Sequence, residues 1–283
     1  MKLSAITDEI SMDFEHALDA LLEYGATSAE LRSLWDVNIG DLSDEQVARA
    51  KSALDKRRMT VCSLSTPLFK CDLSTAEGSA GGRTHEATER TLEQQTPLLE
   101  RCIHLAKVFD TRVIRIFAFW RRGGLTEDIQ EQIIEALREP TKRAEEAGVI
   151  LGLENEHACY LGTGKEIARV IRAVNSPGLK AVWDPGNAFC AGEVPYPDGY
   201  EAVRDFVVHV HVKDAVWVNE KPKFVCIGDG KLDYVGQLKA LKADGYQGYL
   251  SLETHYSPEG GTREEGSRQC LVRLKDLLEE IET

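Results

Sequence analysis

The stretch VILGLEN, residues 149–155, is a short apolar run of β-strand character that carries an acidic side chain, Glu154, near its end. Later runs repeat the arrangement, each ending on a residue that can bind a metal: AVWD at 181–184, VVHVH at 207–211 and YLSLE at 249–253. Each gap between these end residues is long enough for a loop, a helix and the next strand. The order therefore predicts parallel strands, separated by helices, whose carboxyl ends share one site.

The residues at the ends of the four runs are three carboxylates and one imidazole, namely Glu154, Asp184, His211 and Glu253. This hard, mixed set of donors suits an open divalent-metal site better than a closed thiolate zinc site. A carboxylate at the end of an apolar strand is costly to bury unless it is paired or binds a cation. Each residue taken alone is more often a solvated loop acid or a hydrogen-bonded core histidine. Taken together, in this order, they predict one metal centre.

Apolar runs of strand length occur eight times along the chain, at about 3–9, 28–32, 60–65, 112–117, 149–155, 180–184, 207–212 and 248–254. Amphipathic stretches that end at a glycine, such as the one that stops at Gly25, separate several of these runs and predict helices. Eight parallel strands close a (β/α)8 TIM barrel with an outer ring of helices, which a last helix at about 265–281 completes. The length of 283 residues fits one such α/β domain over residues 1–283.

The acidic charge of the chain argues against a polyanionic partner. The net charge is −13 and the densest basic clusters, at 56–58 and 121–122, are short, so we expect a small substrate and no nucleic acid. Seven cysteines without a CxxC pair indicate neither a disulfide framework nor a zinc knuckle, and they are typical of a cytoplasmic protein. No stretch of eighteen apolar residues occurs, so we expect no membrane association.

Side chains alternate along a strand, so residues of the same parity as a ligand share its face. This alternation places Glu156 above the first ligand, His209 one layer below the third, and Lys213 one layer above it. The turn-forming sequence Pro-Gly-Asn after Asp184 aims the Asn187 amide at a ligand. We interpret Asn187, Lys213, Glu156 and His209 as substrate-binding residues. A hydrogen bond inside the barrel for His209, and a salt bridge between Glu156 and Lys213, agree equally well with the sequence.

Three further features near the predicted site are the pair Glu30 and Arg32, His157, and the loop at 70–84. Glu30 and Arg32 share parity on the second strand and are expected to pair, with a clamp on a substrate oxygen as the other role for Arg32. His157 has the opposite parity and is expected outside the site. The loop at 70–84 reads equally well as a lid over the site and as plain disorder.

Short motifs around the four end residues resemble those of the xylose-isomerase-like TIM-barrel superfamily of sugar phosphate isomerases and epimerases. The motifs are LEN at 153–155, WDPGN at 183–187, HVHVKD at 209–214 and SLE at 251–253. The resemblance implies that the four end residues bind one divalent cation, with Mn²⁺ as the first choice and Mg²⁺, Co²⁺ or Zn²⁺ as alternatives. It also implies that Glu154 and Glu253 are an acid/base pair on opposite faces of the substrate, which moves a proton through a metal-stabilised enediolate.

Two positions depart from the pattern of the ketose 3-epimerases within that superfamily. Asn187 stands where those enzymes have a histidine, and Trp217 stands where they have an arginine. Because those groups contact the sugar, the resemblance to this branch is weaker. The motif HVKD at 211–214 looks closer to the dehydratase branch and to uncharacterised isomerase branches of the superfamily. Lys213 would then donate a proton or stabilise an oxyanion.

The leading prediction is a divalent-metal-dependent isomerase or epimerase of a small sugar or related polyhydroxy carbonyl compound. The runner-up is a metal-dependent dehydratase of the inosose or dehydroshikimate type. An abasic-site endonuclease is disfavoured, because that branch uses additional histidines, this chain has seven, and its charge repels DNA. A carbohydrate-binding barrel with a structural metal is disfavoured by the open ligand set. The resemblance implies a small carbohydrate as the partner and leaves a homo-oligomer open.

Overall fold

The computed structural model describes residues 1–74 and 84–282. Within them, eight parallel strands form one sheet around a nearly closed barrel. The strands of this sheet are β1 (Lys2–Ala5), β2 (Ser28–Leu31), β5 (Thr60–Ser65), β6 (Val113–Ile116), β7 (Ile150–Glu154), β8 (Leu179–Trp183), β9 (Val207–Val212) and β12 (Tyr249–Leu252). Strand β12 lies beside β1, and a parallel bridge between Ile6 and Glu30 joins the β1 segment to β2. The predicted α/β TIM barrel is confirmed.

Two short antiparallel hairpins interrupt the alternation of strands and helices. Their strands are β3 (Ser33–Leu34) and β4 (Val37–Asn38), and β10 (Asp214–Val218) and β11 (Lys221–Val225). The second hairpin begins at Asp214 and extends into residues 216–232, a polar segment in which the sequence predicts no strand. It stands at the carboxyl end of β9, next to the predicted ligand His211.

Helices surround the barrel as the sequence predicts. They are α1 (Phe14–Glu23), α2 (Asp44–Arg57), α3 (Gln95–Val108), α4 (Glu127–Glu146), α5 (Gly164–Val174), α6 (Pro185–Cys190), α7 (Tyr200–Val203), α8 (Tyr234–Ala243) and α9 (Arg263–Glu282). Among the described residues, none of these helices is both long enough and apolar enough to cross a bilayer.

Helix α5 shows how local sequence signals position these elements. Thr163 and Glu166 form a reciprocal capping box at its start, and Asn175 ends it in the left-handed conformation with φ 52°. Its buried face consists of Ile167, Ala168, Val170, Ile171 and Val174. Burial of this face against the sheet holds the helix in place. Helix α5 lies in the connection between β7 and β8, and a crossover of this kind allows the two strands to run parallel.

Two local predictions need correction. The first strand ends at Ala5, well before residue 9, because residues Thr7–Glu9 turn into a short 3-10 helix that brings two acids toward the barrel mouth. Asp184 is the N-cap of helix α6, so Pro185 begins a helix where a simple turn was expected. Most of the loop at 70–84, read as a lid or as disorder, lies outside the described residues.

Candidate metal centre

The four predicted ligands meet at the carboxyl end of the barrel. One donor atom from each of Glu154, Asp184, His211 and Glu253 lies within 4.8 Å of every other, and all four side chains are buried. His211 Nδ1 is 3.2 Å from Glu154, 3.4 Å from Glu253 and 3.9 Å from Asp184. Strands β7 and β9 end here, and Asp184 and Glu253 directly follow β8 and β12. The sheet therefore brings together residues that are up to a hundred positions apart in the sequence.

The two glutamates divide their oxygens in the same way. Glu154 Oε1 accepts from the Asn187 side-chain amide at 3.1 Å and faces His211, while Oε2 accepts from Arg115 at 3.1 Å. Glu253 Oε2 accepts from Lys213 at 2.8 Å, while Oε1 accepts from Arg32 at 2.5 Å. Each glutamate thus keeps one oxygen in the cluster and has the other held by a buried guanidinium.

Asp184 presents an oxygen that no hydrogen bond satisfies. Its Oδ1 accepts from the backbone N–H of Asn187 at 2.8 Å, as an N-cap does. Its buried Oδ2 has no hydrogen-bond partner, although Lys213 Nζ lies 3.0 Å away. Buried polar atoms are rarely left in this state. A metal cation that takes oxygen ligands would give Asp184 Oδ2 a partner.

The charges around the barrel mouth support a cation on independent grounds. Six carboxylates here are at most 3% exposed: Asp8, Glu9, Glu30, Glu154, Asp184 and Glu253. Among residues 1–74 and 84–282, the buried side chains that carry a permanent positive charge in the same region are Arg32, Arg115 and Lys213. A divalent ion removes most of this excess negative charge, and three carboxylates with one imidazole suit Mn²⁺ or Mg²⁺. The residues present therefore fit a divalent metal.

Neighbouring charges set the protonation of the cluster. Burial alone would raise the pKa of Glu253, but the Lys213 ammonium and the His211 imidazole hold that pKa well below its usual range. Burial raises the pKa of Asp184 despite the attraction of Lys213. Burial lowers the pKa of Lys213, but Asp184 and Glu253 outweigh it and place that pKa well above its usual value. Glu253 is therefore ionised and Lys213 charged at neutral pH.

A cleft of about 310 Å³ opens above the cluster. Its lining residues are Lys70, His85, Trp120, Glu156, His157, Ala158, Asn187, Lys213, Phe224 and His255. The His85 and His255 rings stack with their centroids 6.1 Å apart, and Phe224 lies 5.2 Å from His255. Cationic, imidazole and aromatic groups on these walls suit a small polar molecule whose ring or chain is partly apolar.

Three of the four predicted substrate-binding residues line this cleft, namely Asn187, Lys213 and Glu156. His209 does not. It is 1% exposed, lies below His211, and makes a 2.8 Å hydrogen bond with Glu30. His157, which the strand parity places outside the site, does line the cleft and contacts Asn187 Oδ1 at 3.3 Å.

Both salt bridges considered from strand parity are wrong. Glu156 pairs with Lys70 at 3.4 Å and with His157 at 3.0 Å, whereas Lys213 turns down to the metal cluster. Arg32 does not pair with Glu30. Its guanidinium binds Asp8 at 2.7 Å, Glu9 at 2.5 Å and Glu253 at 2.5 Å. In both cases at least one of the observed partners comes from a distant segment of the chain.

Several residues that hold the site were missed from the sequence. Arg115 binds Glu154 from within the apolar strand β6, and a charged residue inside an apolar run was the signal available. His85 has a buried Nδ1 without a hydrogen-bond partner and follows the part of the chain that is not described. No periodic pattern surrounds His85, so the sequence offered no indication of its position.

Comparison with known proteins identifies relatives along most of the chain. A family model described as "Xylose isomerase-like TIM barrel" matches residues 18–276. The 3-oxo-isoapionate decarboxylase of Pectobacterium atrosepticum is 28% identical over 145 residues, which are 49% of this chain and 50% of that protein. The inosose dehydratase of Lacticaseibacillus casei is 24% identical over 148 residues, 47% of this chain and 49% of that protein. The chain thus spans about half the length of these curated relatives.

Solved structures extend the likeness to the whole fold. The D-allulose 3-epimerase from Methylomonas sp. superposes with a TM-score of 0.75 at 15% identity, covering 98% of both chains. At this identity the similarity shows the barrel and its strand order. The named relatives carry out different reactions, so the family alone does not select one.

Proposed function

The chain belongs to the xylose isomerase-like TIM barrel family, and we propose that it is a divalent-metal-dependent isomerase or epimerase of a small sugar or related polyhydroxy carbonyl compound. The observation that carries this proposal is the convergence of Glu154, Asp184, His211 and Glu253 within 4.8 Å beneath a polar cleft. Members of this family include enzymes named as epimerases and dehydratases. Mn²⁺ is our first choice of metal.

The proposed reaction moves a proton at the carbon next to a carbonyl group. A divalent cation in the cluster supplies a Lewis acid that stabilises negative charge on the substrate oxygen. Glu253 is ionised in this site and can accept the proton from that carbon. In an isomerisation Glu253 would give the same proton to the neighbouring carbon. In an epimerisation Glu154 would have to enter the cycle protonated and give its own proton to the opposite face, while Glu253 keeps the one it took. Arg32 and Arg115 fix the far oxygen of each glutamate, so each carboxylate has one defined direction. This arrangement lets both act without losing their place in the cluster.

The cleft walls would bind the rest of the substrate. Lys213 and Asn187 reach from the metal cluster into the cleft, and Glu156 stands above them with its carboxylate held by Lys70. These groups offer hydrogen-bond donors and acceptors to the hydroxyls of a sugar or cyclitol. Trp120 and Phe224 contribute apolar faces that exclude water from the reacting carbon.

Solvent-hydrogen exchange tests the proposal. The Mn²⁺-loaded protein is incubated in D₂O with ketoses and aldoses, and ¹H NMR follows the signal of the carbon-bound proton next to the carbonyl. We expect exchange with at least one sugar, reduced at least about 100-fold in Glu253→Gln because a general base contributes roughly that much or more. Glu220→Gln, at the exposed tip of the β10–β11 hairpin, is the matched control and should exchange like the wild type. An absence of exchange and of product across the panel contradicts the proposal.

A dehydratase is the second candidate, and the position of Lys213 favours it. The Lys213 ammonium lies 2.8 Å from Glu253 and 3.0 Å from Asp184, where it can protonate a departing hydroxyl next to the carbon that loses its proton. Loss of water from a keto-cyclitol or from dehydroshikimate leaves a conjugated product that absorbs in the ultraviolet. Such absorbance with these compounds, lost in Lys213→Met, would assign the chain to this reaction in place of isomerisation.

A further inference from the structure

Glu30 is a buried acid that has no place among the four ligands of the proposed metal centre. Glu30 is the third residue of strand β2, its side chain points into the barrel, and it is 0% exposed. An ionised carboxylate at such a position is costly to bury unless several donors satisfy it. The structure supplies three donors, and two of them are histidines.

The contacts of Glu30 form a closed layer under the metal cluster. Oε1 accepts from the Ser65 hydroxyl at 2.6 Å and lies 3.1 Å from His211 Nε2. Oε2 lies 2.8 Å from His209 Nε2. The two imidazole rings meet edge to face with their centroids 5.4 Å apart. Glu30 is thereby fixed in one orientation against His211.

Both ring nitrogens of His211 face carboxylates, but only the carboxylates at Nδ1 belong to the four clustered ligands. Nε2 meets Glu30, which accepts hydrogen bonds but is not one of the four clustered ligands. Nδ1 faces the cluster, 3.2 Å from Glu154 and 3.4 Å from Glu253. A neutral imidazole carries its proton on one nitrogen only, and carboxylates lie next to both nitrogens of His211. A metal in the cluster would take the lone pair of Nδ1 and leave the proton at Nε2, where Glu30 accepts its hydrogen bond. The lone pair of Nδ1 then points into the cluster.

We propose that Glu30 is a positioning residue that holds His211 in the Nε2–H tautomer and aims its Nδ1 at the metal. The inference rests on the metal centre of the proposed function and adds a residue outside the ligand set. Carboxylates that bind the second nitrogen of a metal-ligating histidine commonly change metal affinity by 10–100-fold when they are removed. His209 and Ser65 hold Glu30 in turn, which gives His209 a structural task in place of contact with substrate.

A rival role is that Glu30, His209 and His211 are themselves ligands of a second metal ion, since their donor atoms also lie within 4.8 Å of one another. In that case His211 would bridge two metals and the chain would bind two ions. The direct contacts at 2.8 Å and 3.1 Å are hydrogen-bond distances and already satisfy both carboxylate oxygens. Stoichiometry separates the two roles.

Titration with Mn²⁺ alone, without any substrate, tests the inference. The metal content and Kd are measured for the wild type, for Glu30→Gln and for Glu30→Asp. Glu23→Gln, an exposed acid on α1, is the matched control. We expect one Mn²⁺ per chain, a Kd about 10–100-fold weaker in Glu30→Gln, and a wild-type Kd in the control. Glu30→Asp keeps the charge but withdraws the carboxylate by one methylene, so it should also bind more weakly, whereas a purely charge-balancing role predicts wild-type affinity.

A second readout follows the hydrogen bond between His211 and Glu30 directly. In the Mg²⁺-loaded protein the Nδ1 of His211 would bind the metal, so the imidazole proton stands at Nε2, where ¹H–¹⁵N NMR observes it. We expect the Glu30 carboxylate to shift the Nε2–H proton downfield in the wild type, and we expect this proton to move upfield in Glu30→Gln, which offers only a neutral acceptor. A folded Glu30→Gln with the wild-type Kd and the wild-type Nε2–H signal overturns the inference, as does a wild type that binds two Mn²⁺ ions per chain and loses one of them in Glu30→Gln. Failure of the wild type to bind any Mn²⁺ refutes the proposed metal centre itself, which is a different result from equal binding by wild type and variant.

Discussion

Replacing Arg32 with methionine is expected to destabilise the protein far more than removing an arginine from its surface. Arg32 is fully buried, and its guanidinium binds Asp8, Glu9 and Glu253. Methionine preserves much of the side-chain volume but leaves three buried carboxylates without their common cation. Breaking a buried ion pair by removing one partner costs about 3–5 kcal/mol.

The expected change in melting temperature follows from the chain length. An unfolding entropy of about 2.1 cal/mol/K per residue gives roughly 0.6 kcal/mol/K for 283 residues. A loss of about 3–5 kcal/mol therefore lowers the Tm by roughly 5–8 °C. Calorimetry and urea unfolding in the presence of a chelator measure this loss without compensation by metal.

Arg57→Met is the matched control for this experiment. Arg57 binds Asp19 through two hydrogen bonds of 2.6 and 2.7 Å, but the Asp19 side chain is 58% exposed. Exposed pairs contribute about 0.2–1 kcal/mol, so the control should melt within about 2 °C of the wild type. If the two variants differ by less than about 1 kcal/mol in the free energy of unfolding, the buried carboxylates do not depend on Arg32 and the reasoning is refuted.

Three further outcomes are expected. Mn²⁺ at 100 times its Kd should raise the Tm by about 4–5 °C, since binding to the folded state adds about 2.7 kcal/mol, and a scan with and without chelator should show no such rise in Asp184→Asn. Gly186→Ala should lower the Tm and weaken metal binding, with a loss of about 1–3 kcal/mol in the free energy of unfolding. The added Cβ would lie 2.8 Å from the carbonyl oxygen of Lys213 and would clash with the Lys213 side chain. Gly124→Ala, with nothing within 4 Å, should match the wild type in both measurements. Burial would raise the pKa of Glu9, but His255 and Arg32 hold that pKa well below its usual range, so Glu9 adds stability that is complete above its unfolded pKa of about 4.3 and is lost as the pH falls toward the folded value. Urea midpoints between pH 7 and pH 3 should therefore fall less steeply in Glu9→Gln than in the wild type, and parallel curves would contradict this role.

The barrel could be predicted from the sequence because most of its strands are short runs rich in apolar residues. Strands buried on both faces carry that signal strongly, and the predicted run 207–212 matches Val207–Val212 residue for residue. The hairpin β10–β11 was missed for the opposite reason. Trp217 and Val218 are 46% and 45% exposed. The hairpin therefore has no face with a row of buried side chains, and its sequence lacks the alternation of apolar and polar residues that would predict strands.

The convergence of the ligands could be predicted, but not the partners that hold them. Strand ends in a parallel barrel meet by topology, so residues at those ends are brought together wherever they lie in the chain. Arg32 and Glu253 are 221 positions apart, and no local pattern links them. The alternation of side chains along the strand correctly placed Glu30 and Arg32 on the inner face of the barrel. It could not predict which of the nearby acids and histidines each of them would contact. Choosing among these partners requires the three-dimensional positions.

The β10–β11 hairpin has a consequence for how such a protein can be altered. Lys213 stands immediately before β10 and Phe224 lies on β11, so the hairpin brings one wall of the cleft from a segment that pairs only with itself in the described sheets. Its tip, Asn219 and Glu220, is a two-residue turn with both φ values positive. A foreign hairpin of different length could be grafted between Asp214 and Val225 while every barrel register stays intact. For the proposed enzyme, loop transplantation would therefore change the cleft wall that Phe224 provides while the four residues of the candidate metal centre stay in place.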